Sequence, residues 1–142
     1  MVKDLTNSVI DRQNILNNDM AIEEIKKNIS VPGIVIDDKI YFTVEYVASF
    51  YEVDPRTIRR YIENNSKEFN ENGYEVLTGQ RLKNFFKKIE NSGKDINVLT
   101  KEKVTRLSVF DFRAFLNVGM LLSESERAKE VRKLILDIVI DL

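Results

Sequence analysis

The sequence contains no cysteine, no histidine and no tryptophan among its 142 residues. Without cysteine and histidine the chain has no disulfide, no thiolate metal site and no cysteine nucleophile, and it lacks the commonest general base of enzymes. No apolar run approaches the ~18 residues of a membrane span, and no secretory leader pattern is present. We therefore expect a cytoplasmic protein with no membrane segment, no catalytic residues, no metal and no cofactor.

The sequence also lacks an excess of either charge. It contains 22 basic and 23 acidic residues, and its formal net charge is −1. Proteins that bind nucleic acid are often basic overall, so this balance counts against that class. It does not exclude the class, because the charge on one face decides binding. With 43% hydrophobic residues the chain can bury an ordinary core.

Proline (2 residues) and glycine (5 residues) are scarce, so the few that occur mark breaks between elements. Residues 1–18 are weakly patterned, and we expect coil with at most one helical turn. Asp19 is the expected N-cap of an amphipathic helix that ends before "VPG". "GIVIDDKIYF" predicts two short strands around a turn at Asp37 and Asp38.

Two helices are predicted next: one over 44–51 with an N-cap at Thr43, and a second that is capped by Asp54, begins at Pro55 and ends at about Asn65. "NENGYEVLT" predicts a turn and a short strand that could form a wing. The remaining predicted elements are a basic helix over 81–90, a hairpin over 96–110 with Lys101 and Glu102 near its tip, an apolar helix over 111–122, and a last helix from Glu124 capped by Ser123.

The expected fold class is α+β, a winged helix-turn-helix-like module followed by a helix, a β-hairpin and two C-terminal helices. We divide it into an N-terminal coil and short helix (1–30), the module (31–92) and a hairpin plus helical segment (93–142). Gly119 has no glycine-rich context, so we expect close packing of two helices there rather than a phosphate loop.

"YEVDPRTIRRYI" (51–62) lies where a helix-turn-helix would place its turn and second helix. Such a motif needs a small residue inside its first helix, here Ala48, and an apolar residue after the turn, here Val53. Ile58 and Ile62 are the branched residues that face inward. The turn position that favours glycine holds Glu52, where a positive φ costs roughly 1 kcal/mol.

If Ile58 and Ile62 face inward, one outward stripe of the second helix carries Arg56, Thr57, Arg60 and Asn64. Arg59 lies on its flank. Arginine can contact guanine or phosphate, asparagine can contact adenine, and free N–H groups around Pro55 and Arg56 suit a phosphate. The stripe therefore predicts a DNA recognition helix, and a solvated basic helix is the alternative.

"RLKNFFKK" (81–88) carries a second cluster of cations with no acid between them: Arg81, Lys83, Lys87 and Lys88. Most such clusters only solubilise a helix. Beside a helix-turn-helix the cluster is a candidate contact to the DNA backbone, since phosphate contacts supply most of the salt-dependent affinity.

Two stretches together resemble the virulence protein RhuM family and the wider group of KilA-N and Bro-N regulators. They are "YFTVEYVASFYEVDPRTIRRYIEN" and "FDFRAFLNVGMLLSESERAKEVRKLI". The later stretch matches at Val118, Gly119, Ser123 or Ser125, Ala128 and Arg132. It departs at Met120 and Leu121, where the family carries an aromatic and a basic residue. The resemblance implies a DNA-binding regulatory protein, in some cases encoded beside a toxin, with no catalytic residues.

Our leading hypothesis from the sequence is a sequence-specific binder of double-stranded DNA, a bacterial or phage-derived transcriptional regulator. The alternative is a protein-interaction module, an antitoxin or adaptor whose partner is a neighbouring toxin. The near-zero net charge favours the second hypothesis and the helix-turn-helix pattern favours the first. Both are compatible with autoregulation of a toxin–antitoxin pair.

The C-terminal stretch "EVRKLILDIVIDL" stops at Leu142 without a helix stop signal, so we expect a continuing chain or a covering partner. Its apolar stripe comprises Val131, Leu134, Ile135, Ile138, Val139 and Leu142. We expect this stripe to mediate a homodimer. The alternative is that it folds back on the N-terminal helix around Ile22 and Ile25 and the protein is a monomer.

Overall fold

Polar side chains cap the N-termini of most of the helices. The computed structural model describes residues 4–31, 33–92 and 104–141. At six helix starts a side-chain oxygen accepts a hydrogen bond from a backbone N–H of the first turn, and these caps are Ser8, Asn18, Thr43, Asp54, Asp111 and Ser125. Within the described residues the helices are α1 (Val9–Leu16), α2 (Asp19–Asn28), α3 (Val44–Tyr51), α4 (Pro55–Asn64), α5 (Ser66–Glu71), α6 (Gly79–Asn91), α7 (Phe112–Leu121) and α8 (Glu126–Ile140).

Four short strands form two antiparallel pairs, which makes the described part of the chain α+β, as predicted. The strands are β1 (Ile34–Ile36), β2 (Lys39–Tyr41), β3 (Tyr74–Thr78) and β4 (Arg106–Phe110). The predicted turn at Asp37 and Asp38 is confirmed, since both residues have positive φ and join β1 to β2. The strand predicted after Gly73 is also confirmed, but its partner is the distant β4, with Tyr74 opposite Phe110.

The buried residues form two clusters. The larger one joins side chains of α1, α2, α3, α4, α7 and α8, and the smaller one lies between α6 and strands β1, β3 and β4. The predicted boundaries after residues 30 and 92 therefore fall within shared packing, because both flanks of each boundary contribute to a common cluster.

The expectation of coil over residues 1–18 is wrong for its described part, where α1 forms and a 3₁₀ turn covers Leu5–Asn7. The helix is held by a tertiary contact that no local pattern reveals. Arg12 is buried, donates two hydrogen bonds of 2.8 Å to the carboxylate of Glu68 and a third of 2.7 Å to the carbonyl of Leu5. The cap of α2 is Asn18 rather than the predicted Asp19.

Two further corrections concern the helix starts near α5 and α8. Helix α5 was not predicted at all. Helix α8 begins at Glu126 behind Ser125, not at Glu124 behind Ser123. Ser125 is the better cap because its buried hydroxyl also donates to the carbonyl of Tyr51 at 2.6 Å. The predicted hairpin tip at Lys101 and Glu102 lies outside the described residues.

The apolar stripe of α8 is largely used inside the molecule. Val131 and Ile135 are buried, and Ile138 and Val139 pack against the larger cluster. Since α8 contacts α2 and shares that cluster with Ile22 and Ile25, the fold-back that was the alternative expectation is present. Most of the stripe is therefore not available as a dimer surface.

Close packing at Gly119 is confirmed. A Cβ on this residue of α7 would overlap the hydroxyl of Tyr51 in α3, which donates to the carbonyl of Phe115 at 2.9 Å. Burial raises the pKa of Tyr51, so the phenol stays neutral and keeps this hydrogen bond. The contact aligns α3 with α7. Among the helices of the described ranges, none is long and apolar enough to cross a membrane.

Candidate nucleic-acid interface

Helices α3 and α4 are joined by a turn of three residues, Glu52, Val53 and Asp54. Glu52 adopts the left-handed conformation (φ 58°, ψ 44°), at the position where the sequence predicted a positive φ. The turn is closed by the N–H of Val53, which donates to the carbonyl of Ala48 at 3.0 Å. Ala48 and Ile58 are buried, as the inward positions require. This packing sets the direction of α4 relative to α3.

Asp54 occupies the N-terminus of α4. Its carboxylate accepts the backbone N–H of Arg56 at 2.8 Å and the Arg56 side chain at 3.2 Å. These hydrogen bonds from Arg56 lower the pKa of Asp54, so the carboxylate is ionised at neutral pH. The expectation of free N–H groups for a phosphate near Pro55 is therefore wrong for Arg56.

The outward face of α4 is exposed at its three arginines and at Asn64, but not fully at Thr57. The side chains of Arg56, Arg59 and Arg60 are 87%, 57% and 55% exposed. Asn64 is exposed and Thr57 is half-buried. Because Ile58 and Ile62 hold the opposite face in the core, the arginines lie together on one helix surface.

Each of these arginines is paired with a carboxylate from a neighbouring element. Arg56 contacts Asp54, Arg59 contacts Glu45 of α3 at 3.2 Å, and Arg60 contacts Glu124. Exposed ion pairs contribute only about 0–1 kcal/mol each, so the carboxylates hold the arginines weakly. The three carboxylates offset the charges of the three arginines on the resting face.

The segment 123–127 contacts the turn, α3 and α4. The sequence did not predict these contacts. The Tyr61 hydroxyl of α4 lies 3.2 Å from the Ser123 hydroxyl and donates to Glu124 at 3.2 Å. Arg127 pairs with Glu52 at 3.8 Å and lies 4.5 Å from the centre of the Phe50 ring. The only feature of the sequence that pointed to this segment was the resemblance to the RhuM family, which included a match at Ser123 or Ser125.

The predicted basic cluster lies on α6, with its four cations exposed. Arg81 pairs with Glu75, and Lys88 pairs with Asp37 at 3.2 Å. Lys83 and Lys87 form no ion pair with any described residue. Helix α6 packs in the smaller cluster and α4 in the larger one. The two groups of predicted DNA-contacting residues, on α4 and on α6, therefore lie on helices that pack in different buried clusters.

No group of three or more potential metal ligands lies together within 4–31, 33–92 and 104–141. The pairs of carboxylates along the chain serve a turn (Asp37 and Asp38) and a helix surface (Glu23 and Glu24). The chain matches no protein-family model, no curated protein and no solved structure. The resemblance to the RhuM, KilA-N and Bro-N group stays a prediction.

Proposed function

We propose that the chain is a sequence-specific DNA-binding protein of the winged helix-turn-helix type, acting in the cytoplasm as a bacterial or phage-derived transcriptional regulator. The observation that carries the proposal is the exposed arginine face of α4, held at a defined angle by the short turn from α3. A recognition helix needs this combination of a buried inner face and an outward row of donors.

In this proposal α4 enters the major groove. Arg56 and Arg60 contact base edges or phosphates, because they lie one turn apart on the outward face. Asn64 can read adenine and half-buried Thr57 can reach a phosphate or a base, whereas Arg59 lies on the flank. The β3–β4 ribbon would be the wing, and Lys83 and Lys87 of α6 would contact phosphates together with Arg81 and Lys88.

The carboxylates Asp54, Glu45 and Glu124 support specificity in this scheme. They lower the positive potential of α4, and so weaken attraction to any duplex irrespective of sequence. A base edge with well-placed acceptors can still recruit the guanidinium groups, since exposed pairs are weak. The resting pairs would therefore reduce non-specific binding more than specific binding.

The test is a titration of a duplex enriched by repeated binding selection, at fixed salt, with single alanine variants. Arg56→Ala and Arg60→Ala should each weaken binding by about 1–3 kcal/mol if the contact is bidentate to a base. Arg59→Ala should cost less. Lys27→Ala removes one exposed charge from α2 and serves as the matched control. Equal losses in all four variants, or no selected duplex, would contradict the proposal.

A second candidate is a protein-interaction module, an antitoxin or adaptor for a neighbouring toxin. The observation that favours it is the pairing of every α4 arginine with a carboxylate, which leaves that face nearly neutral at rest. Co-expression with the product of the adjacent gene, followed by size-exclusion chromatography, tests it. A stable complex formed by a chain that binds no duplex would favour this candidate.

A further inference from the structure

The turn between α5 and β3 contains Asn72-Gly73, which is the one Asn-Gly pair in the sequence. Asparagine before glycine loses its side-chain amide readily in flexible peptides, because glycine carries no side chain to hinder attack by its own backbone nitrogen. The fold nevertheless requires glycine here. Gly73 has a φ of 97°, and a Cβ on it would overlap the carboxylate of Asp111, whose N–H donates to the Gly73 carbonyl at 3.1 Å.

The fold also requires an amide at Asn72, whose side chain is fully buried. Its Nδ2 donates to the carbonyl of Glu68 at 2.8 Å and to Oδ1 of Asn117 at 3.1 Å. Its Oδ1 accepts from Arg113 at 3.1 Å and from Gln13 at 3.0 Å. Only a side chain with both a donor and an acceptor meets these four contacts. Two independent constraints therefore build a chemically labile pair into the structure.

The folded geometry holds this pair in an unreactive form. Deamidation closes a five-membered ring, for which the Cβ of Asn72 and the nitrogen of Gly73 must lie on the same side of the Cα–C bond. With ψ at 27°, Asn72 places them on nearly opposite sides. Its amide cannot turn until its hydrogen bonds break, and α1 supplies part of them through Gln13. Arg12 holds α1 in this place by its two hydrogen bonds to Glu68.

We propose that Asn72 is a deamidation site that reacts only when α1 detaches from α5 and α7. In the open chain the nitrogen of Gly73 loses its proton to hydroxide and bonds to Cγ of Asn72. The Cγ–Nδ2 bond breaks, and the nitrogen leaves as ammonia after taking a proton from water, which regenerates hydroxide. Water then opens the cyclic imide to aspartate or isoaspartate. Solvent supplies every reactant, and the chain gains one negative charge.

The product should keep α1 from docking again. An aspartate at this position sets an oxygen, in place of Nδ2, against the carbonyl of Glu68 and Oδ1 of Asn117. Arg113 still faces the other oxygen, but two acceptors at a buried site lose their donor, which disfavours the closed form. Isoaspartate also adds a carbon to the backbone before β3. A transient opening of α1 is thus converted into a lasting one, whether or not the chain binds DNA.

Peptide mapping by mass spectrometry of the intact chain, incubated in neutral buffer without DNA, tests the gate. Loss of the Asn72 amide should be slower in the folded wild type than in urea by on the order of 100-fold. Gln13→Ala should speed the reaction about tenfold, because it removes both contacts between α1 and the Asn72 amide. Gln80→Ala, the matched control, removes a similar contact to Asn84 on α6 and should leave the rate unchanged.

Leu82→Ala separates local opening from global unfolding, because Leu82 is buried in the smaller cluster, which α1 does not join. The comparison is made at urea concentrations that give Leu82→Ala and Gln13→Ala the same free energy of unfolding. Gln13→Ala should then react faster at Asn72. Equal rates would overturn the proposed gate, and a folded wild type that reacts as fast as the chain in urea would overturn the protection itself.

Trypsin tests the consequence, because Arg12 is buried and becomes a cleavage site only when α1 opens. Asn72→Asp should raise the rate of cleavage after Arg12 about tenfold. Asn91→Asp makes the same charge change at an exposed position of α6 and should leave that rate near the wild-type value. Equal cleavage of Asn72→Asp and the wild type would contradict the lasting release of α1. No DNA is present in these assays, so none of their outcomes bears on the duplex titration.

Discussion

Arg60 is the residue at which the internal contacts of the protein and the proposed DNA contacts compete directly. In the free chain its guanidinium pairs with Glu124, which also accepts the hydroxyl of Tyr61. A DNA phosphate or a guanine would have to take the place of this carboxylate. In the proposed complex, Glu124 would therefore set how readily Arg60 is released to DNA.

Replacing Glu124 by glutamine should tighten duplex binding about two- to fivefold at low salt, since an exposed pair contributes about 0.2–1 kcal/mol. The gain should shrink as salt rises, because screening weakens the pair in the free protein. Fluorescence anisotropy with the selected duplex at several salt concentrations measures both effects.

Glu63→Gln is the control for this prediction, because Glu63 is an exposed acid of α4 that pairs with no described residue. In an Arg60→Ala background the Glu124→Gln gain should disappear, whereas any gain from Glu63→Gln should remain. Equal gains from both substitutions in both backgrounds would show that only net charge matters and that Glu124 does not restrain Arg60.

At the scale of elements, the helix pair α3 and α4 was predictable because all of its signals are local. Thr43, Glu52, Asp54 and Pro55 set caps and a turn within a dozen residues, and the structure uses each of them as expected. One expectation at this helix start was wrong. The backbone N–H of Arg56, which had been expected to stay free, donates a hydrogen bond to the carboxylate of Asp54.

Elements held by distant partners were not predictable in the same way. The strand β3 was expected, but its pairing with β4 depends on a long-range choice that no local pattern contains. Helix α1 lacks a clear apolar period and depends on the contact of Arg12 with Glu68 of α5. The choice of Ser125 over Ser123 as a cap depends on the carbonyl of Tyr51, which only the fold brings near.

The element-scale prediction concerns α6. Changing Lys83 and Lys87 to alanine should weaken binding of all duplexes about equally and flatten the dependence of log K on log salt by about one unit per lost phosphate contact. These two lysines are the informative ones, because Arg81 and Lys88 already pair with Glu75 and Asp37. Salt titrations of a selected and an unrelated duplex measure the slopes.

The companion control is Lys26→Ala with Lys27→Ala, which removes two exposed cations from α2. That variant should leave the slope near the wild-type value. A loss that depends on DNA sequence, or an unchanged slope after the α6 substitutions, would remove α6 from the proposed DNA-binding face and leave α4 alone.

At the scale of the whole molecule, a buried polar network joins α1, α5 and α7. Glu68 accepts two hydrogen bonds from Arg12 and one of 2.6 Å from the buried amide of Asn117. Buried Asn72 donates to Asn117 and accepts from Arg113. Because these hydrogen bonds join three helices, the network orients the N-terminal segment against the rest of the core.

The network makes stability depend on pH through Glu68. Burial opposes ionisation of Glu68, but the hydrogen bonds from Arg12 and Asn117 outweigh it, so its pKa lies below the ordinary value. A lowered folded-state pKa means that the ionised carboxylate stabilises the fold. This contribution is fully present above the unfolded pKa of about 4.3 and is lost as pH falls through the lower folded value.

Glu68→Gln should therefore lower the free energy of unfolding at pH 7, and the difference from the wild type should shrink as the pH falls below the unfolded pKa of about 4.3. Urea titrations of both proteins across this range measure the difference. Burial raises the pKa of Asp111, which acts in the opposite sense, but both proteins contain Asp111 and its effect cancels in the comparison. A difference that stays constant with pH would contradict the assignment.

The central claim is that α4 reads base pairs, and the most direct measurement is the sequence preference of the chain and of its arginine variants. Binding selection from a random duplex library should enrich one motif for the wild type. Arg56→Ala and Arg60→Ala should each relax the preference at a distinct base pair of that motif, while Lys83→Ala lowers affinity and leaves the motif unchanged. A wild-type selection with no enriched motif, or arginine variants that keep the full motif at lower affinity, would contradict the claim.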